Sequence, residues 1–296
     1  MVRRGRIAGS ALALGAALLA AAAPAEELSV LTYNVHGLPA WVARDDPEAR
    51  MPAIAARADA YDVVLLQEDF AFHERLREAT GHPLVRRGNP SRAPWCPVCN
   101  GAGLTLLSRL SPDALLTLDV QPYDICAGWL GGANDCFATK GFLRARLRLA
   151  SGAVLDVVNT HLDAGRDDAD REARRRQLAA LAGSLAREVG DGALVVGGDF
   201  NLDADDAADA ALLRAFAAEL GLADSGARAS AGSGFPALDY LLSRSGRDAT
   251  LRVLEAGEDE GFRADGAALS DHPALFVRFE VAPAAAPGAA PDDARP

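Results

Sequence analysis

The chain has 296 residues, 50% of them hydrophobic and 24% charged, with a formal net charge of -11 at pH 7. That balance excludes a disordered or collagen-like chain and supplies enough apolar material for one large core. It also argues against a protein that grips nucleic acid with a basic stripe.

In chain order, Arg3, Arg4 and Arg6 precede an apolar run from Ala11 to Ala23, and Ala23-Pro24-Ala25 follows before the first acidic residue. This is the pattern of a secretory signal peptide over residues 1–25 with an A-x-A-like cleavage site. The mature protein is therefore expected to be exported, to the periplasm or the medium. No other segment is apolar enough to span a membrane. Cleavage removes three arginines and no acids, which takes the net charge from -11 to -14. A single domain is expected over residues 26–280, and the Pro/Ala-rich end, 281–296, reads as a disordered tail.

Strand-like apolar runs lie at 28–35, 63–66, 104–107, 115–120, 142–149, 154–158, 194–196, 238–242 and 274–279. Helices are expected over 46–59, 70–79, 167–188 and 205–219. In the third of these, Leu178, Leu181 and Leu185 stand at helical spacing against a polar face. Hairpin-like pairs such as 142–149 with 153–158 predict an α/β (α+β) fold of two packed mixed sheets flanked by helices, not a regular doubly wound sheet. Arg174-Arg175-Arg176 reads as a solvated helix face. Cys96, Cys99, Cys126 and Cys136 suit an oxidising compartment and permit three pairings. Cys126 with Cys136, closing a Gly-rich loop, and Cys96 with Cys99 are favoured; a zinc site using the Cys-Pro-Val-Cys spacing is the rival.

Polar motifs recur at the ends of these strands: Tyr33-Asn34, Gln67-Glu68, Thr139-Lys140-Gly141, Asn159-Thr160-His161-Leu162-Asp163, Gly198-Asp199-Phe200-Asn201, Leu238-Asp239-Tyr240 and Ser270-Asp271-His272-Pro273. Polar groups at strand ends are costly to bury unless they are paired, so a shared site is the expected cause. Asp199 and Asn201 stand two apart after the run Ala193–Val196, which by strand alternation points both the same way, and Gly197-Gly198 lets another backbone or a ligand come close. Glu68, Asp199 and Asp271 are hard oxygen donors suited to Mg²⁺. Asn34 and Asn201 can donate to a phosphate without adding charge that would repel it. His272 is a candidate general base with Asp239 fixing its tautomer, and His161 could donate to a phosphate oxygen. His36, His73 and His82 are read as non-catalytic.

Taken in order, these motifs resemble the endonuclease/exonuclease/phosphatase superfamily, the DNase I-like fold, over about residues 28–280. The resemblance implies a four-layer α/β sandwich and a Mg²⁺-dependent phosphate-ester hydrolase, with Mn²⁺ or another divalent cation as the alternative. It implies that Glu68, Asn34 and Asp271 hold the metal and that Asp199 and His272 orient and deprotonate the attacking water. Asp239 would support His272, and Asn201, Asn34, His161 and Lys140 would bind phosphate. Asn34-Val35-His36-Gly37-Leu38-Pro39, Lys140-Gly141 and the stretch from Gly261-Phe262 to His272 are similar to motifs of neutral sphingomyelinases. The leading expectation is thus an exported phosphodiesterase leaning to a phospholipid head group at a membrane surface. The alternatives are a secreted nuclease, an inositol-phosphate-type phosphatase and a non-catalytic binding module. No stable protein partner is expected.

Overall fold

The computed structural model describes residues 24–284 apart from 44–45, 91–95, 97–98, 130–133 and 231–233. The signal-peptide expectation, residues 1–25, lies almost wholly outside the described residues, as does most of the expected tail. The elements are β1 (Glu26–Asn34), α1 (Ala40–Ala43), α2 (Pro47–Ala58), β2 (Val63–Gln67), α3 (His73–Ala79), β3 (Leu84–Arg87), β4 (Thr105–Ser108) and β5 (Leu115–Pro122). There follow β6 (Gly141–Arg148), β7 (Val154–His161), α4 (Asp168–Glu188), β8 (Leu194–Asp199), α5 (Ala207–Leu220), β9 (Ala223–Asp224) and β10 (Asp239–Arg244). The last are β11 (Ala249–Glu258), β12 (Arg263–Ala264), β13 (Ala267–Ala268) and β14 (Leu275–Pro283).

Two six-stranded sheets form, in the orders β11-β14-β1-β2-β4-β3 and β5-β6-β7-β8-β10-β9. Their facing sides bury Leu65, Val157, Val195, Leu241 and Val277 in one core. Each such side chain contributes about 1.5–3 kcal/mol by leaving water. The outer face of the first sheet packs Leu31, Tyr33 and Val64 against Met51, Ile54 and Ala55 of α2. The outer face of the second packs Val158 and Val196 against Leu178, Leu181 and Leu185 of α4 and Phe216 of α5. The result is the expected helix–sheet–sheet–helix sandwich. Asp167 and Asp170 close a capping box at the start of α4, and Asp206 accepts from the first backbone amides of α5. These bonds satisfy donors that a helix leaves orphaned.

Two strand pairs are parallel, β1 with β2 and β7 with β8. A parallel pair needs a crossover, and α1 with α2 in one case and α4 in the other supply it. The registers then align the motifs. His161 pairs with Asp199, and Asp199 with Asp239, so three functional side chains fall in one row across β7, β8 and β10. On the other sheet Asn34 pairs with Gln67. The glycines of β8 permit close approach of protein, not of a ligand. A Cβ on Gly198, whose φ is 148°, would lie 1.9 Å from the Thr160 carbonyl oxygen, and one on Gly197 would meet Leu241 and Leu65 at 2.7 and 2.8 Å.

Three expectations are corrected. The last strand runs to Pro283 with Val281 buried, so it enters the stretch read as tail. Helix α3 starts at His73, not 70, because Phe70 N bonds Glu68 O and Ala71 N bonds Gly37 O. Arg174 is fully buried, since the carbonyls of Asp163, Ala164 and Gly165 all need its guanidinium, while Arg175 stays outside on Glu172. The favoured cysteine pairing holds: the disulfides are Cys96–Cys99 and Cys126–Cys136, which leaves no thiolates for the rival zinc site.

Candidate active site

The row across β7, β8 and β10 sets the centre of the site. Asp199 is buried at the tip of β8. Its Oδ2 accepts from Asn34 Nδ2 at 3.1 Å, which bridges the two sheets, and lies 3.4 Å from His161 Nε2 and 3.8 Å from His272 Nε2. Its Oδ1 accepts from the backbone amide of Asn201 at 2.9 Å. Asn201 lies past the strand with φ 51°, so strand alternation does not govern it. Its side chain turns to Leu162 O at 3.1 Å.

His272 stands on the loop before β14, with Nδ1 2.8 Å from Asp239 Oδ2. Burial pushes the imidazole pKa down, but Asp239 and Asp199 outweigh it and raise the value to about 10. His272 is therefore an imidazolium at neutral pH in this state, where the residue types had suggested a neutral base. Burial in turn holds Asp239 up at about 6 against the pull of the imidazolium.

Glu68 follows β2 with φ 56°, a left-handed conformation uncommon for a residue with a side chain. Its carbonyl is clamped by the amides of Gly37 at 3.0 Å and Phe70 at 2.8 Å. A Cβ on Gly37 would sit 2.5 Å from that carbonyl oxygen, which explains the glycine of the Asn34–Pro39 motif. Burial raises the Glu68 carboxyl, partly offset by Lys140 and by a hydrogen bond from Asn34. Asp271, expected beside Glu68, is exposed on the rim with Oδ1 3.4 Å from His36 Nδ1. Ser270 Oγ ties it to the site, donating to Asn34 O at 2.7 Å and lying 3.2 Å from Asp271 Oδ1.

Lys140, expected to bind phosphate, is engaged elsewhere. Its buried ammonium reaches Asp135 Oδ1 at 2.7 Å, Leu162 O at 2.7 Å and His161 Nε2 at 2.9 Å, which commits all three N–H groups. Burial works against its charge, yet Asp135 and Asp163 overcome this and raise its pKa. Because Lys140 donates to Nε2, the proton of neutral His161 resides on Nδ1, which is buried and has no partner among the described residues. Burial, Lys140 and His272 all hold the His161 pKa well below its ordinary value. Lys140 thus positions His161 through Nε2, and the Nδ1 proton is left buried.

The donor chemistry fits a divalent cation. The carboxylates of Glu68, Asp199, Asp239 and Asp271 outnumber the cations Lys140 and His272, and Lys140 is already matched by Asp135. Asp199, Asp239 and His272 offer ligand atoms within 4.8 Å of one another. However, Asp239 and His272 already spend their facing atoms on each other. Glu68, with Asp271 at the rim, is the freer oxygen set, while Asn34 Oδ1 already accepts from His36 N at 3.0 Å.

Beside these groups lies a cavity of about 720 Å³ that Glu68, Lys140 and His161 share with Trp41, Phe70 and Phe137. Trp41 is 77% exposed at its mouth, and Trp129, 46% exposed, stacks edge-on with Phe137. Residue types alone pass over Asp135, and Asn159 enters only as the first residue of a strand-end motif with no role attached. Asn159 Oδ1 accepts from Gln67 at 2.8 Å while its amide donates to Leu66 O and Thr105 O, joining the sheets beneath the site. The place of Asn159 two residues before His161 puts both on one face; Asp135 carries no such signal.

Comparison with known proteins bears on the family and the fold. The family model described as "Endonuclease/Exonuclease/phosphatase family" matches residues 31–272. Sphingomyelinases of Mycobacterium tuberculosis and Mycobacterium bovis are 29% identical over 277 positions, covering 86% of this chain and 52% of theirs. The chain therefore spans about half the length of those relatives. Sphingomyelinase C from Streptomyces griseocarneus shares the fold, with TM-score 0.64 and 22% identity over 86% of this chain and 99% of that one. A mutant beta toxin from Staphylococcus aureus, solved with bound magnesium ions, has TM-score 0.64 and 15% identity over 85% of this chain and 99% of that one.

Proposed function

The chain belongs to the endonuclease/exonuclease/phosphatase family, and on that premise we propose that it is an exported phosphodiesterase assisted by a divalent cation, with phospholipid head-group esters as its leading substrate. The family and the sphingomyelinase relatives indicate a phosphate-ester hydrolase. The observation that carries the proposal is the row His161–Asp199–Asp239, closed by the 2.8 Å contact between Asp239 and His272 and faced by Glu68.

Each residue then has a task. Asp239 holds His272 by Nδ1 and keeps it charged, so that Nε2–H points a cationic donor at the phosphate. Asp199, with Asn34 fixing one oxygen and the Asn201 amide the other, is left to take the proton of the attacking water. His161, kept neutral by burial, Lys140 and His272, stands in the row with Nε2 3.4 Å from Asp199 Oδ2 and is assigned to the phosphate side of the site. Glu68, Asn34 and Asp271 would hold Mg²⁺, which when bound supplies charge neutralisation at the phosphate and its leaving oxygen. The mutant beta toxin with bound magnesium supports that choice of ion.

The substrate's other half is argued from the cavity and the charge. Apolar walls with Trp41 at the mouth suit an amphipathic alcohol, and a net charge of -14 without residues 1–25 suits a zwitterionic head group better than polyanionic DNA. Export is supported by the signal-like start and by two disulfides. Among the described residues no helix is long and apolar enough to cross a membrane. The test is a panel of sphingomyelin, phosphatidylcholine, inositol phosphates and DNA with Mg²⁺ and with Asp199→Asn as the control. Turnover of a choline phospholipid is expected; turnover of DNA or inositol phosphates alone would overturn the substrate assignment.

A further inference from the structure

We propose that Asn159 is a positioning residue for the reaction: its buried amide fixes the offset between the two sheets and so places Glu68, just past β2, against the His161–Asp199 row. The proposal rests on the phosphodiesterase reading for its kinetic readout alone.

The site is divided between the sheets. Asn34 ends β1 and Glu68 directly follows β2 in the first sheet, whereas His161, Asp199 and Asp239 stand on β7, β8 and β10 in the second. Beneath them the sheets meet through Leu65, Val157, Val195, Leu241 and Val277. Apolar contact is non-directional, so it resists separation of the sheets more than it resists sliding. Direction comes from hydrogen bonds. Among the described residues, side chains bond from a strand of one sheet to a strand of the other at two places. One is Asn34 Nδ2 on Asp199 Oδ2 at 3.1 Å, inside the site itself. The other is Asn159.

Asn159 is fully buried on β7, opposite Gly197 of β8 and two residues before His161. Its Nδ2 donates to Leu66 O of β2 at 2.8 Å and to Thr105 O of β4 at 3.1 Å. Only the amide nitrogen can serve two carbonyls, so the group has one orientation. Its Oδ1 then accepts from Gln67 Nε2 at 2.8 Å, and Gln67 is the residue before Glu68. Both ends of the Asn159 amide are thus engaged by the facing sheet. Gln67 Nε2 also reaches Thr32 Oγ1 at 3.1 Å and Leu65 O at 3.0 Å, both within its own sheet. Thr32 therefore shares the network without joining the sheets.

A buried amide whose donors and acceptor are all matched specifies one arrangement where apolar packing allows several. That arrangement matters to the chemistry, because the Glu68 carboxyl takes a hydrogen bond from Asn34 and faces the charges of Lys140 and Asp199. A displacement of about 1 Å among such groups can cost about 10²-fold in rate. Asn159→Leu keeps the size and the burial and removes the tie.

The experiment compares Asn159→Leu and Thr32→Val with the native chain in urea unfolding, in kinetics on an aryl phosphodiester with Mg²⁺, and in ¹H–¹⁵N spectra of the Asn34 side-chain amide, which bonds both Glu68 and Asp199. Both variants lose a buried polar contact and should unfold at lower urea. Asn159→Leu alone should lower kcat, by about 10- to 100-fold with little change in KM, and shift the Asn34 amide resonances. Gln67→Met breaks the same tie from the first sheet; it should reproduce both effects, and it decides the matter if Asn159→Leu does not fold. Native kcat with an unmoved Asn34 amide in the folded variant would overturn the proposal. So would an equal loss of kcat in Thr32→Val, which would make the network a matter of stability alone. A protein that cleaves no phosphodiester would refute the functional reading, and the Asn34 amide would still decide this one.

Discussion

Asp239 Oδ2 and His272 Nδ1 lie 2.8 Å apart although 33 residues separate them in sequence. The pair joins the start of β10 to the loop before β14 and holds an imidazolium against Asp199. Asp239→Asn keeps a hydrogen-bond acceptor of the same size and removes the charge. The pKa of His272 should then fall from about 10 toward the ordinary 6.5, and turnover should drop by about 10²- to 10⁴-fold. Imidazole titration by NMR and kcat on an aryl phosphodiester check the two halves separately.

Gly198→Ala tests the close approach of β8 to β7. The added Cβ would lie 1.9 Å from the Thr160 carbonyl oxygen, on a backbone at φ 148°. A loss of roughly 3 kcal/mol or more is expected in urea unfolding. Gly152→Ala is the control. It also has positive φ, 89°, but meets nothing within 4 Å, so its cost should stay near about 1 kcal/mol.

These two sites show what could be read in advance. The glycine pair was legible as a point of close approach because only a missing Cβ distinguishes it, but the partner, Thr160, depended on the parallel pairing of β7 and β8. β2 was legible as a continuous apolar run, since it is buried on both faces, and α4 through Leu178, Leu181 and Leu185, which pack on the second sheet. β11 was not. It is an edge strand with a bulge at Val253/Glu255, largely exposed, and has no alternation to detect. Most site residues were legible as strand-end motifs. Their relations were not, because charge depends on packing. His272 is cationic only because Asp239 and Asp199 both face it, and Lys140 is spent only because Asp135 folds onto it.

Asp163 gives a pH test away from the proposed metal ligands. It accepts from Ala127 N and from Gln177 Nε2, and burial raises its pKa from 3.8 to about 6. A carboxyl whose folded pKa is raised binds its proton more tightly when folded. Its contribution is therefore full below 3.8 and is lost as pH rises through about 6. Asp163→Asn removes that dependence. Whatever constant penalty the amide brings, the stability of the variant relative to the native chain should improve by roughly 1–3 kcal/mol between pH 4 and pH 7. Denaturant unfolding at those two pH values measures the difference; a gap that does not change would show that Asp163 is not held protonated by burial.

The most direct test of the central claim is hydrolysis of an aryl phosphodiester by the mature protein with and without chelator, alongside Asp199→Asn. Thorough chelation should abolish turnover and added Mg²⁺ should restore it. Asp199→Asn should lower kcat by about 10³-fold or more with an unchanged melting temperature. Turnover that survives metal removal, or that is indifferent to Asp199→Asn, would contradict the account.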